Sequence, residues 1–338
     1  MGAQSLSVRS TALYGLEYER DIEERKPALP KERLVVILGP TATGKSYCGI
    51  ELAKRFRGEI VSGDSMLVYR QMNIGTAKPS AEELQMVPHH LVNILPPDAS
   101  YSVADFQQQA AKLIHQITLR GNLPILVGGT GLYIKALLED YRFSSVEENP
   151  ELRHRLEMYA QEQGTDKLFD WLRKEDPAAA ARLHPNDVRR VVRALETALS
   201  GDRVSQERQH ELKYDAEVFG LSMERCFLYE RINLRVDRMI EEGLEEEVRS
   251  LLNAGIPTDC LSMKSLGYRQ MAEYLKGQCD FATAVDNIKK ETRHFAKRQI
   301  TWYKKMPYIR WFTVNRDVNY KNIVADMADI LEKKGKRL

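Results

Sequence analysis

A chain of 338 residues, 43 % hydrophobic and 29 % charged, is long enough for about two domains and too rich in apolar residues to be mostly disordered. Fifty Lys and Arg against 48 Asp and Glu leave a formal charge of +2, so bulk charge gives no argument for a nucleic-acid partner. Uncharged apolar-rich stretches such as residues 121–134 fall short of the ~20 residues of a membrane-spanning helix, which excludes an integral membrane protein of that kind.

Residues 1–30 read as a flexible N-terminal extension. Their start nearly matches an N-myristoylation signal, but Leu6 stands where Ser or Thr is wanted, and no apolar h-region for secretion follows. Residues 34–38, Leu-Val-Val-Ile-Leu, form a short β-branched run, the pattern of a buried parallel strand. Gly39, Pro40, Thr41, Ala42, Thr43, Gly44, Lys45 and Ser46 follow at once and match G-x-x-x-x-G-K-[ST]. Residues 46–56 then read as a helix with Ile50, Ala53 and Phe56 inward. Strand, loop and helix are the context this motif requires. Glycines let backbone N–H groups converge on an anion, the helix N-terminus adds positive potential, Lys45 adds a charge, and the Ser46 hydroxyl can hold Mg²⁺. A nucleotide hydrolase also needs an acidic residue closing a second apolar strand. The best later strand, residues 123–127, runs into Gly128-Gly129-Thr130-Gly131 without one. That weakens an ATPase or GTPase reading and leaves a phosphate-bearing substrate whose phosphates are held but need not be hydrolysed.

Residues 59–65 read as a second strand ending in Asp64. Ligands of open parallel sheets sit outside the carboxyl ends of the strands, so Asp64 is expected to face the crevice of the phosphate loop. It is either a general base for an acceptor O–H or N–H or a turn or helix-capping Asp. The glycine run around Thr130 is either a tight turn or a lining of the same crevice. Residues 69–79 have no clear period. Adjacent His89 and His90 invite a metal reading, but no Cys or acidic spacing completes a site. Cys48, Cys226, Cys260 and Cys279 are scattered without a C-x-x-C pair. They read as isolated buried thiols in a reducing compartment.

From Pro150 onward the pattern is helical. Residues 151–163 space Leu152, Leu156 and Tyr159 on one face. Residues 188–199 set Val188, Val191, Val192, Leu195 and Leu199 beside Arg189, Arg190 and Arg193, with Asn186-Asp187 as the cap. Residues 229–252 read as one long amphipathic helix, with Arg231 and Arg235 a turn apart and an acid-rich solvated face over 241–247. Residues 286–310 carry eight basic and two acidic side chains, a net +6, interleaved with Phe295, Trp302 and Tyr303. This is either a cationic surface with aromatics for splayed bases or a snorkelling helix whose aromatics are core. A basic tail closes the chain.

Seven motifs, GPTATGKS, SGDSMLVYRQMNIGTAKPS, PHHLVNILPPDASYSVADF, ILVGGTGLYIKALL, HPNDVRRVVRALE, KSLGYRQM and KRQITWYKK, occur in this order. Together they resemble the tRNA dimethylallyltransferase family over about residues 34–311. The resemblance implies an α/β fold, a P-loop NTPase-like parallel sheet core with a helical insertion domain and a helical C-terminal part. On this chain it maps to an extension at 1–30, the core at 31–141, a tRNA-clasping insertion at 142–214, the second part of the core at 215–315 and a C-terminal helix with its tail at 316–338. It implies transfer of the dimethylallyl group from its diphosphate to N6 of adenosine 37, just 3′ of the anticodon, in tRNAs reading codons that begin with U.

By the same resemblance, residues 39–46 and Mg²⁺ on Ser46 hold the diphosphate as a leaving group. Thr41 belongs to the substrate-binding loop, Arg235 reaches the diphosphate, and Asp64 takes the N6 proton. Asp64, Ser65, Met66, Leu67, Thr130, Arg153, Arg189, Arg190, Val191, Val192, Arg193, Lys264, Ser265, Leu266, Gly267, Tyr268 and Arg269 are placed against tRNA. A cytoplasmic monomer is expected, with tRNA, its anticodon stem-loop and dimethylallyl diphosphate as partners and no membrane. The rivals are a P-loop small-molecule kinase, an isopentenyltransferase acting on free adenine nucleotides, and a non-catalytic RNA-binding protein with an inert loop. The long helical half speaks against the first, and intact Lys45, Ser46 and Asp64 against the last.

Overall fold

The computed structural model describes residues 30–143, 149–201, 211–317 and 320–335. All but the last residue of the expected N-terminal extension, and residues 336–338 of the basic tail, lie outside them. The described residues build an α/β fold on one six-stranded parallel sheet. Its strands are β1 (Arg33–Leu38), β2 (Gly58–Ser62), β3 (His89–His90), β4 (Leu123–Gly128), β5 (Asp215–Met223) and β6 (Arg310–Val314), in the order β3-β2-β4-β1-β5-β6.

The continuous apolar run in β1 has a simple cause. The strand is covered on both faces, and its side chains alternate between two cores. Leu34, Val36 and Leu38 enter one core, and Val35 and Ile37 the other. The second core is closed by α1 (Lys45–Phe56), through Cys48, Ile50, Leu52 and Ala53, and by the C-terminal helix, through Ile323, Met327 and Leu331. The first core takes Phe106, Ala110, Ile114 and Ile117 from α3 (Val103–Leu119) and Ile134 and Leu137 from α4 (Gly131–Leu138). Between α1 and α3 lies the short α2 (Ala81–Met86).

The insertion is a helical cluster with its own core. It comprises α5 (Pro150–Gln163), α6 (Thr165–Glu175), α7 (Pro177–Ala180) and α8 (Val188–Leu199), joined through Leu156, Leu168, Leu172, Val191 and Leu195. Asn149 caps α5 with Pro150 in its first turn, and Asp187 caps α8. The rest of the chain adds α9 (Arg225–Glu241), α10 (Leu244–Asn253), α11 (Tyr268–Leu275), α12 (Phe281–Tyr303) and α13 (Tyr320–Gly335).

Four expectations are corrected. The second half is not helical throughout, because β5 pairs with β1 and β6 with β5. Strand β5 carries its buried run, Val218 to Leu221, without alternation, and so offers no period to tell it from a helix. The single helix expected over 229–252 is two, α9 and α10, broken where Gly243 adopts φ +99°, a left-handed conformation that glycine takes freely. The thiols are not all buried: Cys48 is, Cys226 is exposed, and Cys260 and Cys279 are partly buried. Cys226 sits in the first turn of α9 with its Sγ 2.7 Å from Glu224 Oε1, turned to solvent instead of the core. Strand β2 ends at Ser62, so Asp64 belongs to the connection beyond it. Among the described residues no helix is long and apolar enough to cross a membrane.

Candidate active site

The loop between β1 and α1 is fixed by its own side chains. Thr43, fully buried, donates its hydroxyl to the Pro40 carbonyl at 2.9 Å, and the Lys45 ammonium donates to the same carbonyl at 2.7 Å. Gly44 is required twice over. Its φ is +89°, and a Cβ there would stand 2.6 Å from the Tyr320 ring. Ala42 also takes a left-handed φ, +66°, and its carbonyl accepts from Arg231 Nε at 2.8 Å. One turn along α9, Arg235 donates to the Thr41 hydroxyl at 3.2 Å.

The third brace comes from α12. The Thr41 N–H donates to Gln299 Oε1 at 3.0 Å, and Gln299 Nε2 donates to the Gly129 carbonyl at 2.9 Å. The Tyr303 hydroxyl lies 3.0 Å from the Gly39 carbonyl and 2.9 Å from that of Gly129. Both side chains are buried, Gln299 at 4 % and Tyr303 at 1 % exposure. They tie the phosphate loop to the glycine turn after β4.

Asp64 stands on the connection after β2. Its Oδ1 accepts from the Met66 N–H at 2.8 Å, and Ser65 N–H donates to the Thr130 hydroxyl at 3.2 Å. The expected crevice-facing position and the turn role are both present. One carboxylate oxygen closes a local turn while the residue lines the cavity that Lys45 and Arg235 also line. Burial, and the positive charge of Arg235, push the Lys45 ammonium down to about 7, and Asp64 pulls the other way. Burial likewise lowers Arg235, against the attraction of Asp64 and Glu242.

These groups open into one cavity of about 500 Å³ at the carboxyl ends of the strands. Of the residues singled out from sequence, it brings together Thr41, Lys45, Ser46, Asp64, Ser65, Met66, Leu67, Thr130, Arg235, Lys264, Ser265, Leu266, Gly267 and Arg269. Gly39, Pro40, Ala42, Thr43 and Gly44 form the loop behind them. An apolar wall of Ile232, Val236, Met239 and Phe295 faces the same space. The arrangement can hold an anion against Lys45, Arg235 and the loop, shelter an apolar group, and offer Asp64 to a proton donor.

Other residues lie elsewhere. Tyr268 is fully buried, and its hydroxyl donates to Glu247 at 2.5 Å. Arg153, Arg189, Arg190 and Arg193 are on the insertion. Arg189 and Arg190 are exposed, while Arg153 Nε and Arg193 Nη1 lie 2.9 and 2.5 Å from the buried Glu196 carboxylate. Val191 and Val192, expected against RNA, bury their side chains in the insertion's core, because they fall on the inner face of α8. The basic helix divides by face. Tyr303 and Gln299 are core, Phe295 and Arg298 line the cavity, and Lys297, Lys304 and Lys305 are exposed. Tyr303 is thus a core aromatic, as the snorkelling reading has it, and the lysines form an exposed basic face. The acid-rich face expected over 241–247 is not wholly solvated, since Glu247 accepts from three backbone N–H groups. His90 bonds to the buried Glu59 at 2.7 Å and His89 to the Val87 carbonyl at 2.8 Å. Among the described residues no three His, Cys, Asp or Glu converge on a metal position.

Sequence reasoning missed Gln299, Tyr303, Glu196 and Glu247. Gln299 and Tyr303 lie inside the KRQITWYKK motif, but charge patterning drew attention to their basic neighbours. Glu196 closes the HPNDVRRVVRALE motif three residues after its partner Arg193, but its other partners at 149 and 153 are remote, as are all those of Glu247.

Comparison with known proteins places this geometry. The family model described as IPP transferase matches residues 67–306. The tRNA dimethylallyltransferase of Halalkalibacterium halodurans is 46 % identical over 315 residues, covering 90 % of this chain and 100 % of that one. The tRNA dimethylallyltransferase of Carboxydothermus hydrogenoformans is 47 % identical over 291 residues, 85 % of this chain and 93 % of that one. Among solved structures, the full-length tRNA isopentenylpyrophosphate transferase of Bacillus halodurans superposes with a TM-score of 0.70 at 44 % identity, covering 91 % and 98 % of the two chains. A eukaryotic dimethylallyltransferase acting on tRNA superposes with a TM-score of 0.77 at 27 % identity, covering 89 % of this chain and 80 % of that one.

Proposed function

The chain belongs to the IPP transferase family, and from that premise we propose that it is a tRNA dimethylallyltransferase. It moves the dimethylallyl group from dimethylallyl diphosphate to N6 of adenosine 37, 3′ of the anticodon, in tRNAs reading codons that begin with U. The products are N6-(dimethylallyl)adenosine and diphosphate. The observation that carries this is the single cavity in which Asp64, Lys45 and Arg235 meet beside an apolar wall.

An adenine N6 amine is a poor nucleophile, because its lone pair is delocalised into the ring. Orientation and departure of the leaving group must therefore supply much of the acceleration. Lys45, Arg235 and the N–H groups of the loop bind the diphosphate, and bind it more tightly as the breaking C–O bond leaves charge on it. Asp64 accepts the N6 proton as the C–N bond forms. Gln299 and Tyr303 hold the loop in register with the turn bearing Thr130.

Ser46 lines the cavity with a single hydroxyl and no cluster of acids nearby among the described residues. That donor set fits Mg²⁺, which keeps most of its waters and takes few protein ligands beside phosphate oxygens. When bound, the metal would neutralise part of the diphosphate charge. Arg189, Arg190 and the exposed lysines of α12 offer positive charge to an anticodon stem-loop. Four unpaired cysteines fit a reducing compartment, the cytoplasm.

The decisive experiment is nucleoside mass analysis of unmodified tRNA incubated with the protein, Mg²⁺ and dimethylallyl diphosphate. A five-carbon adduct on the adenosine 3′ of the anticodon is expected. No adduct with RNA binding intact would sink the reading, and γ-phosphate transfer from ATP would point to a kinase.

A further inference from the structure

The connection after β2 begins with Asp64 and runs past Leu67 and Tyr69 to Pro79, returning to the cavity with Gly75, Thr76 and Ala77. It is irregular, and it includes two non-glycine residues at left-handed φ, Gln71 at +63° and Ala77 at +49°. Such conformations persist only where the surroundings over-determine them. Between these two residues the loop is held by a carboxylate 172–174 residues away in sequence. Glu247 Oε2 accepts from the N–H of Asn73 at 2.7 Å and of Ile74 at 2.9 Å, and Oε1 accepts from Gly75 N–H at 3.2 Å. Three successive N–H groups make an anion-binding concavity, and the protein fills it with its own side chain.

The same carboxylate accepts from the Tyr268 hydroxyl at 2.5 Å. The Tyr268 ring lies against Gly75, where a Cβ would come within 2.4 Å of it, so only glycine admits this contact. The neighbours of Tyr268, namely Lys264, Ser265, Leu266, Gly267 and Arg269, line the cavity, while Tyr268 itself is buried behind them. Beyond the clamp, the Lys78 ammonium donates to the Tyr69 carbonyl at 2.5 Å and to Asn93 Oδ1 at 2.6 Å, and Asn93 N–H donates to the Leu67 carbonyl at 3.0 Å. A continuous set of bonds thus leads from Glu247 through the loop to the stretch beside Asp64.

We propose that Glu247, acting with Tyr268, is a positioning residue that locks the Asp64-bearing connection against the 264–269 segment and so sets the seat of the acceptor nucleotide, not of the diphosphate. The proposal rests on the transfer reaction inferred above. Nothing in the clamp touches the phosphate loop, whose braces come from α9 and α12.

The test compares the full-length protein with Glu247→Gln and Tyr268→Phe. Gln keeps one acceptor oxygen but puts a carboxamide NH2 where the second oxygen accepts from backbone N–H groups, and Phe keeps the ring on Gly75 while losing its bond. Transfer is measured with tRNA and dimethylallyl diphosphate varied separately, alongside melting temperature and amide exchange over residues 64–79. For Glu247→Gln, kcat/KM for tRNA is expected to fall about tenfold or more, the scale of a displaced reacting group, with KM for dimethylallyl diphosphate within about twofold. Exchange should quicken over 73–79 and reach 64–67, and Tyr268→Phe should show the same pattern more weakly. A KM raised for dimethylallyl diphosphate as much as for tRNA, with a lowered melting temperature, would reduce Glu247 to a fold-stabilising residue and overturn the proposal. So would unchanged transfer despite faster exchange. Should the wild type transfer nothing, the reaction reading falls by itself, and exchange decides the clamp: unaltered protection at 64–67 in Glu247→Gln overturns it.

Discussion

Burial and the neighbouring Arg235 bring Lys45 down to about 7 in the ligand-free protein. A bound diphosphate supplies negative charge at the ammonium and returns it toward the ordinary range of a lysine. At pH 8 about nine-tenths of the Lys45 side chains are neutral before binding, so diphosphate should draw in about 0.9 proton per site, against about 0.1 at pH 6. Affinity should fall roughly tenfold per pH unit above 7 from this group alone. Titration calorimetry with inorganic diphosphate, in two buffers of different ionisation enthalpy, reads the proton count directly. Lys45→Arg serves as the reference, because guanidinium keeps its charge and leaves only the ligand's own ionisation to be counted. Equal proton uptake by the two proteins at pH 8 would refute the reasoning. A second readout needs no ligand. A lysine lowered in the fold binds fewer protons there than in the unfolded chain between about 7 and its ordinary value. Its cost is therefore full below pH 7 and relaxes as pH rises. Lys45→Met should raise the melting temperature most at pH 6 to 7, and progressively less toward pH 10.

Asp64→Asn keeps an oxygen for the Met66 N–H and should lower transfer by about 10²–10⁴ with tRNA affinity within a few-fold; undiminished turnover removes the base. Arg190 is exposed and pairs only loosely with Asp187 at 3.3 Å. Arg190→Ala should weaken tRNA binding and lower the magnitude of the slope of log K against log salt by about 0.7–0.9, and an unchanged Kd would count against that contact. Glu59 concerns stability instead. Burial alone would raise its carboxyl, but hydrogen bonds from Arg120, Asn122 and His90 outweigh this and hold it at about 2. A carboxylate depressed in the fold stabilises above its unfolded value, and that contribution, about 3 kcal/mol, is lost as pH falls from about 4.5 toward 2. Glu59→Gln should flatten that acid limb and lower the melting temperature at pH 7; an unchanged acid transition would show that the cluster contributes little.

The parts of the fold that were legible are those whose signal is local. Strand β1 shows as an apolar run because both faces are covered, and α8 shows as a stripe because one face is. The phosphate loop shows as a string of residues because backbone conformation dictates its glycines. What escaped is set by long-range pairing. Strand β5 is a strand because β1 lies beside it in register, Val36 opposite Val218, and nothing in residues 215–223 alone announces a partner. The break at Gly243 escaped because apolar spacing continues across it, with Leu244 and Val248 taking up the core where Val236 left it. Glu247 was read as solvated for the same reason: an acid among acids has no local mark of the loop it will hold.

The same distinction applies inside the site. The motif over residues 39–46 announces an anion, but its rigidity is not its own. Arg231 and Arg235 reach it from α9, Gln299 and Tyr303 from α12, and Tyr320 covers Gly44 from α13. Gln299 bonds both a backbone N–H at Thr41 and the carbonyl of Gly129, and a buried backbone group left unpaired costs about 1–3 kcal/mol. Tyr303 shares the carbonyl, so the N–H at Thr41 depends on Gln299 for its partner. The segment that drew notice for its charge thus forms the rear wall of the residue 39–46 loop. A helix with lysines on one face and Gln299 and Tyr303 on the other puts an exposed basic surface and the brace of the residue 39–46 loop on a single element, which charge counting along the chain has no means of separating.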